Sequence, residues 1–365
     1  VKKALVVDWL DKYGGAEKVI QALESALHFD EVYALVNIMK QTELDLLFPS
    51  KKKVTTTKLQ MFGKRFRFLY PLFFKEIKTI EISKDIDVIV SSSHSVAKGV
   101  LKSKQNQIHI SYFQAPNSNY IWQDAPLYFK SFYPLIKPLL SFFRKWDLKQ
   151  SKQPDYIICN SLYVKNWVKN TYNREATVIY PPVNLEQFPL CNIKEDFYVI
   201  AGRMATIKRF DLVIQAFNTN NKKLIVIGDG EQLSHLKSLA TSKKITFLGF
   251  QNVQILSSYL QKAKGFIQMG VEGFGIAAIE AQSCGTPILC YGKGGVIETV
   301  KVNETGMFFH EQTSNSLNES LDLFETKQWN YKIIHDHAQS FSAESFDNQI
   351  KKYVSVITKS GNGNS

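Results

Sequence analysis

"VEGFGIAAIE" (residues 271–280) puts a glutamate at each end of a short turn built on Gly273 and Gly275. The apolar stretch "GFIQM" (265–269) before it reads as a strand, and "IAAIEAQSCG" (276–285) after it reads as a helix stopped by Gly285. The quoted segment is therefore a strand-to-helix turn, with Phe274 between the glycines looking exposed, or else a core residue. In an open α/β sheet such turns are where ligands bind, against helix N-terminal N–H groups.

Working outward, the same rhythm fills the second half of the chain. Strand candidates are "FYVIAGR" (197–203), "KLIVIGDG" (223–230), "ITFLG" (245–249), "PILCY" (287–291) and "GMFF" (306–309). Helices fit between them at 209–217, 231–242, 254–263 and 276–284. The first half alternates in the same way, with strands "ALVVD" (4–8), "EVYALV" (31–36), "IDVIVSS" (86–92), "QIHISYF" (107–113), "DYIICNS" (155–161) and "ATVIYPP" (176–182). Helix-period stretches at 16–27 and 162–172 separate some of them, which argues for parallel βαβ units. Pro181-Pro182 breaks the pattern, and "VNLEQFPLCNIKED" reads as a linker. The expected organisation is an α/β chain of two doubly wound domains, 1–185 and 186–342. A C-terminal helix within 343–365 ends in a frayed "SGNGNS" (360–365).

A length of 365 residues and 44% hydrophobic content allow two or three domains with sizeable cores. The four cysteines, Cys159, Cys191, Cys284 and Cys290, form no C-x-x-C pair, and Cys159 and Cys284 lie in or beside apolar elements, which favours buried thiols in a reducing cytosol. No apolar run approaches the roughly 18–20 residues of a membrane span, and the N-terminus lacks a signal-peptide apolar region. G-x-G-x-x-G follows no strand, since "GDGEQL" has Leu233 at the third position, so hydride transfer is disfavoured. Charge is uneven. Residues 1–185 carry 27 Lys and Arg against 16 Asp and Glu, whereas 186–365 carry 18 against 17. The basic half points to an anionic partner surface.

Four pieces fall at strand ends. "YGGAEKV" (13–19) brings Gly14 and Gly15 to a helix start, where backbone N–H groups can approach an anion. "AGRMATIK" (201–208) offers Arg203 and Lys208, a fork and a point charge suited to a diphosphate. Glu272 and Glu280 supply carboxylates that accept hydrogen bonds from sugar or ribose hydroxyls. "YGKGGVIETV" (291–300) is another glycine turn entering a helix. Each taken alone reads equally as a plain turn or a solvated charge. Their order at successive strand ends is what makes them a candidate site.

The segments "AGRMATIKRFDLVIQAF", "IGDG", "ITFLGF", "VEGFGIAAIEAQSCGTPIL" and "GGVIETV" with "ETGMFF" resemble the donor-binding half of family-four retaining glycosyltransferases of the GT-B fold. "GGAEKV", "SSSHSVAKGV" and "ATVIYPPVNLEQF" match the rest, and the look is closest to mannosyltransferase-like members of bacterial surface polysaccharide (O-antigen, lipopolysaccharide) synthesis. The resemblance implies two domains facing across a cleft, with the C-terminal helix crossing back to the first. It implies that Glu280 binds the nucleotide ribose and Glu272 the donor-sugar hydroxyls. The amides of Phe274, Gly275 and Ile276, beside Gly273, would meet sugar and phosphates. Arg203 and Lys208 would stabilise the leaving diphosphate, Gly14 and Gly15 would close over it, and the loop at Gly249 and Phe250 would read the base. Charge neutralisation by Arg and Lys would leave no metal or cofactor required. The D-x-D of metal-using relatives has no counterpart, since "DID" (85–87) leads into a strand as a turn.

One position departs from the family. Relatives carry a histidine in a Y-x-H-x-P motif, and this chain has "YFQAPNSNYIW" with Gln114 there. Glutamine can hydrogen-bond a sugar hydroxyl but cannot become cationic. The chain is thus expected to be either an active hexosyltransferase with a substituted contact or an impaired sugar-nucleotide-binding protein. His94 in "SSSHS" reads as a packed or capping residue or as a catalytic one.

The basic excess concentrates in "MFGKRFRFLYPLFFKEIK" (61–78) and "LYFKSFYPLIKPLLSFFRKWDLK" (127–149). Interleaved aromatic and basic residues suit an anionic membrane surface. Amphipathic helices packed on the domain core are the other reading. No nucleic-acid motif accompanies the charge. The expected protein moves a hexose from GDP-mannose or a UDP-sugar to a lipid-linked saccharide, peripherally at the cytoplasmic face of the membrane.

Overall fold

The run KALVV forms β1 (Lys3–Val7), in which Ala4 to Val7 are all buried. A strand with one wet face would alternate apolar and polar residues. Continuous burial marks a parallel strand covered on both sides. Its side chains divide by parity, as the pleat requires. Leu5 and Val7 enter one core with the helix Gly15–Leu27, whereas Ala4 and Val6 enter another with Phe73, Phe74, Leu140 and Phe143. The computed structural model described here covers residues 1–362.

The chain divides into two compact units, residues 1–182 with the described residues from 344 onward, and residues 183–343. In the first, β1 is followed by β2 (Glu31–Ala34), β3 (Val54–Thr56), β4 (Val88–Ser93), β5 (Ile108–Phe113), β6 (Tyr156–Cys159) and β7 (Thr177–Val178). They form a parallel sheet in the order β3-β2-β1-β4-β5-β6-β7. The second unit holds β8 (Glu195–Ala201), β9 (Leu224–Ile227), β10 (Ile245–Gly249), β11 (Ala263–Gln268), β12 (Ile288–Tyr291) and β13 (Gly306–Phe309). Their order is β10-β9-β8-β11-β12-β13, again parallel. Both sheets reverse direction beside their first strand, at β1/β4 and at β8/β11. Those reversals are the topological switch points at which open α/β sheets bind ligands.

The C-terminal helix Ala343–Asn362 belongs to the first unit. Phe346, Ile350, Val354 and Ile357, spaced along one helical face, enter the core of Leu5 and Val7, and Phe346 meets Tyr112 edge to face. This is the return expected of the C-terminal helix. It extends through Asn362, further than the frayed "SGNGNS" expectation, and the remainder of that expectation (363–365) lies outside the described residues.

Other expectations need correction. The segment 183–196 is no free linker: Leu185 and Phe188 are buried, and Phe188 joins the core of the second unit. Lys194 fixes it further, donating to the carbonyls of Gln261 and Cys284 and to Thr286 at 2.7, 3.0 and 2.8 Å. The segment 61–78 is not one amphipathic helix. A 3₁₀ winding over Lys58–Leu69 breaks at Gly63 (φ 48°) before the helix Tyr70–Glu76. The stretch 127–149 does become helical, as Ala125–Phe129 and Tyr133–Gln150.

Candidate functional site

In the second unit, β8 delivers the turn Gly202–Arg209 and β11 delivers Gly270–Gly275, side by side at the switch point. Glycines permit that proximity. A Cβ on Gly270 would lie 2.7 Å from Lys208 Cα and 2.7 Å from the Ile207 carbonyl oxygen. The result is an ion pair, Lys208 Nζ to Glu272 Oε2 at 2.5 Å, with the two side chains 22% and 21% exposed. Arg203 stands exposed nearby in sequence, with no ion pair among the described residues.

Gly275, at φ 95°, begins the helix Ile276–Ser283, and only glycine adopts that backbone without strain. The first-turn N–H groups, at Ile276 and Ala277, have no acceptor within the helix itself, which gives this end its partial positive charge. Glu280 lies one turn further on and is buried. The "YGKGG" turn packs directly on the "EGFG" turn: Gly295 N donates to the Glu272 carbonyl at 2.9 Å. A Cβ on Gly295 would come within 2.4 Å of the Gly273 carbonyl oxygen, so a side chain there would force the turns apart. Gly249 ends β10 at φ 70°, and Phe250 beyond it is exposed.

Phe274 takes the second of its two expected places, the core rather than the surface. It is buried, with its ring 5.5 Å from Phe341 in an edge-on contact, and so anchors the turn from beneath. Its backbone, not its ring, is what the turn presents.

In the first unit, Gly14 precedes the helix Gly15–Leu27 in extended conformation. Gln114, one residue past β5, reaches that same helix start. Its Nε2 donates to the Ala16 carbonyl at 3.2 Å and to Ser92 Oγ at 2.5 Å, while Asn160 donates to the Gln114 carbonyl at 2.5 Å. The structure thus brings Gly14, Gly15 and Gln114 together at one sheet edge.

Sequence reasoning passed over Asp8. Its buried carboxylate, at the end of β1, accepts four consecutive backbone N–H groups, from His94, Ser95, Val96 and Ala97, at 2.6–2.9 Å. It also lies 3.2 Å from His94 Nδ1, and the His94 ring stands edge-on to Trp9 at 4.5 Å. An aspartate directly after an apolar strand was the available signal, but it reads equally as a turn residue. His94 and Gln114 follow paired strands: Ser93 is opposite Phe113, and Gln114 N donates to the Ser93 carbonyl at 3.2 Å.

The 94–97 turn is followed by a buried pair, Lys98 Nζ to Asp147 Oδ1 at 2.7 Å, and Lys98 also donates to the Ser95 carbonyl. Trp122 and Tyr172 donate to the other Asp147 oxygen at 2.8 and 2.5 Å, so the charges are fully partnered. Burial pushes the Cys284 thiol up to about 12 and those of Cys159 and Cys290 further, which makes them inert packing residues. Among the described residues, no group of three His, Cys, Asp or Glu side chains converges as a metal site requires.

Residues 184–343 match the family Glycosyl transferases group 1. An uncharacterised glycosyltransferase of Methanocaldococcus jannaschii is 27% identical over 52% of this chain and 54% of its own length. The chain thus spans about half the length of that curated relative. The O-antigen chain mannosyltransferase RfbU of Salmonella typhimurium is 24% identical over 62% of this chain and 63% of its own. The crystal structure of Anabaena HepE in complex with UDP and glucose superposes with a TM-score of 0.68 at 16% identity, over 98% of this chain and 100% of that one. This chain has the GT-B fold, and its residues 184–343 match the group 1 glycosyl transferases.

Proposed function

We propose that the protein is a hexosyltransferase that retains anomeric configuration. It moves a sugar from a nucleotide diphosphate donor to a lipid-linked saccharide of a surface polysaccharide, without a metal. The observation that carries this reading is the Lys208–Glu272 pair at the switch point, beside a glycine-led helix start and with Glu280 one turn beyond. In the assigned roles, Glu280 accepts from the ribose hydroxyls and Glu272 from the donor-sugar hydroxyls. Lys208, Arg203 and the amides of Phe274, Gly275 and Ile276 take the diphosphate, and Gly249 and Phe250 border the base. As the glycosidic bond breaks, charge grows on the leaving diphosphate, and preorganised cations and amides stabilise it most at that moment. The incoming diphosphate would draw Lys208 from Glu272 and free that carboxylate for a sugar hydroxyl. Gln114 would hydrogen-bond the donor sugar, and Gly14 and Gly15 would admit its phosphates near their backbone.

Supporting this reading, RfbU is by name an O-antigen chain mannosyltransferase, and HepE holds UDP and glucose. The donor here is GDP-mannose or a UDP-sugar. No helix among the described residues is long and apolar enough to cross a membrane. We place the protein peripherally at the cytoplasmic membrane face through the basic, aromatic segments 61–78 and 127–149. A second reading, a sugar-nucleotide binder with impaired catalysis, rests on Gln114, whose amide is committed to Ala16 and Ser92. One experiment separates the two. Thermal shift with nucleoside diphosphates reports binding, and release of nucleoside diphosphate with a lipid-linked acceptor reports turnover. Binding with turnover supports the enzyme; binding without turnover supports the second reading.

A further inference from the structure

The first unit carries a surface that the donor chemistry does not use. Two apolar stripes run along the helix Tyr133–Gln150. Leu140 and Phe143 face inward, into the core beneath. Phe132, Leu135, Leu139 and Phe142, spaced by three, four and three residues, lie on one outer face and are 68, 79, 53 and 47% exposed. Phe68 and Leu72, in and just before the neighbouring helix Tyr70–Glu76, are exposed as well. An exposed apolar face of this kind on a compact unit marks an interaction site.

The stripe leads somewhere. The Phe142 ring lies 4.4 Å from that of Trp146, which lies 5.6 Å from that of Phe74. Phe74 and Trp146 line a cavity of 330 Å³ together with Lys75, Lys78, Lys149 and Gln150. Gln150 is 1% exposed; its Nε2 donates to the Phe74 carbonyl at 3.1 Å, while its Oε1 has no hydrogen-bond partner among the described residues. An aromatic floor bordered by three exposed lysines suits a phosphate that bears an apolar tail.

We infer that this face docks on an anionic phospholipid bilayer, with the stripe in the acyl boundary and one lipid phosphate in the cavity. The inference deepens the membrane half of the proposed function. Charge argues against a second copy of the chain as the occupant. The helix carries Lys137, Arg144, Lys145 and Lys149, and its one acidic residue, Asp147, is buried and already paired with Lys98. Two such faces would repel each other, whereas anionic headgroups would be attracted. The exposed leucines and phenylalanines then leave water as the helix settles into the headgroup boundary.

The test is co-sedimentation of the full chain with vesicles of phosphatidylcholine, alone or mixed with phosphatidylglycerol, at low and high salt. Tryptophan quenching by brominated lipid reports insertion. The chain should prefer the anionic vesicles and lose that preference at high salt. With each lysine near a charged surface contributing about fivefold, Lys75→Ala, Lys78→Ala and Lys149→Ala together should weaken binding on the order of a hundredfold. Leu135→Glu with Leu139→Glu should abolish quenching. A water-soluble, short-chain phosphatidylglycerol should compete with the vesicles where inorganic phosphate at equal concentration does not. Equal binding to both vesicle types overturns the inference, as does an unaffected lysine triple variant or equal competition by inorganic phosphate. A dimer that Leu135→Glu with Leu139→Glu converts to monomer, vesicle binding unchanged, overturns it in favour of self-association. Circular dichroism checks that each variant folds. Thermal shift with nucleoside diphosphate in the same samples reports the donor reading separately, so either can fail alone.

Discussion

Replacing Asp8 by asparagine isolates the anchor of the first unit's switch point. The carboxylate accepts from His94 and Ser95 on Oδ2 at 2.7 and 2.9 Å, and from Val96 and Ala97 on Oδ1 at 2.6 and 2.7 Å. Asparagine has the same shape, but one of its two terminal atoms is itself a donor. Whichever way the amide flips, two of the four N–H groups then face an NH₂. Hydrogen bonds to charged groups contribute roughly 1.5–3 kcal/mol each, so losing two costs about 3–6 kcal/mol. The contact with His94 adds little, because that ring is 33% exposed. Two compact units make a single melting temperature an ambiguous readout. Hydrogen exchange at the amides of residues 94–97 reads the loss directly. At about 1.4 kcal/mol per tenfold, Asp8→Asn should speed their exchange by a hundredfold or more. His94→Ala, by the same measure, should change it less than about fivefold. Exchange in Asp8→Asn within fivefold of the parent would refute the claim that this carboxylate holds the turn.

The remaining predictions concern the donor site, Gln114 and acid stability. Glu280→Ala should weaken nucleotide binding in thermal shift, whereas Lys208→Ala should lower turnover more than binding, since leaving-group charge grows in the transition state. Small and equal effects from both would remove the roles assigned. Gln114→Ala should lower turnover roughly tenfold to a thousandfold, the range for one preorganised polar contact, and Gln114→His should retain or raise it; unchanged turnover in Gln114→Ala places that residue outside the reaction. Burial holds His109 down to about 3 from 6.5, so folding favours its neutral ring. The stability it contributes is present above pH 6.5 and lost as pH falls toward 3. Denaturant titrations over that window should lose part of their acid sensitivity in His109→Gln, and identical slopes would contradict the assignment.

Both sheets were legible because parallel strands covered on two faces are written as short apolar runs, as in "ALVVD" and "KLIVI". β3 escaped because Val54–Thr56 is three residues long and follows three lysines, an edge strand whose pairing partner supplies the order. The helices Ser314–Glu325 and Tyr331–Ala338 were not anticipated, although Thr313 and Asn330 cap them through their side chains. At the site, Glu272, Lys208 and the glycines could be read from a turn flanked by a strand and a helix. Whether Phe274 faced water or the core stayed open in the sequence, because its partner Phe341 lies far along the chain. The Asp8 anchor was hidden for the same reason: its four donors come from residues 94–97. Composition disclosed the basic, aromatic character of 127–149, but only the fold decides that Phe143 faces in and Phe142 out.

The most direct test of the central claim follows both products of one reaction. The chain is incubated with a labelled GDP- or UDP-sugar and a membrane lipid extract, and nucleoside diphosphate and lipid-bound label are measured together. The account predicts equimolar appearance of the two, an axial or equatorial anomeric bond preserved from donor to product by NMR, and loss of both signals in Glu280→Ala. Nucleotide binding with no transfer to any lipid acceptor, or transfer with the anomeric bond inverted, would contradict it.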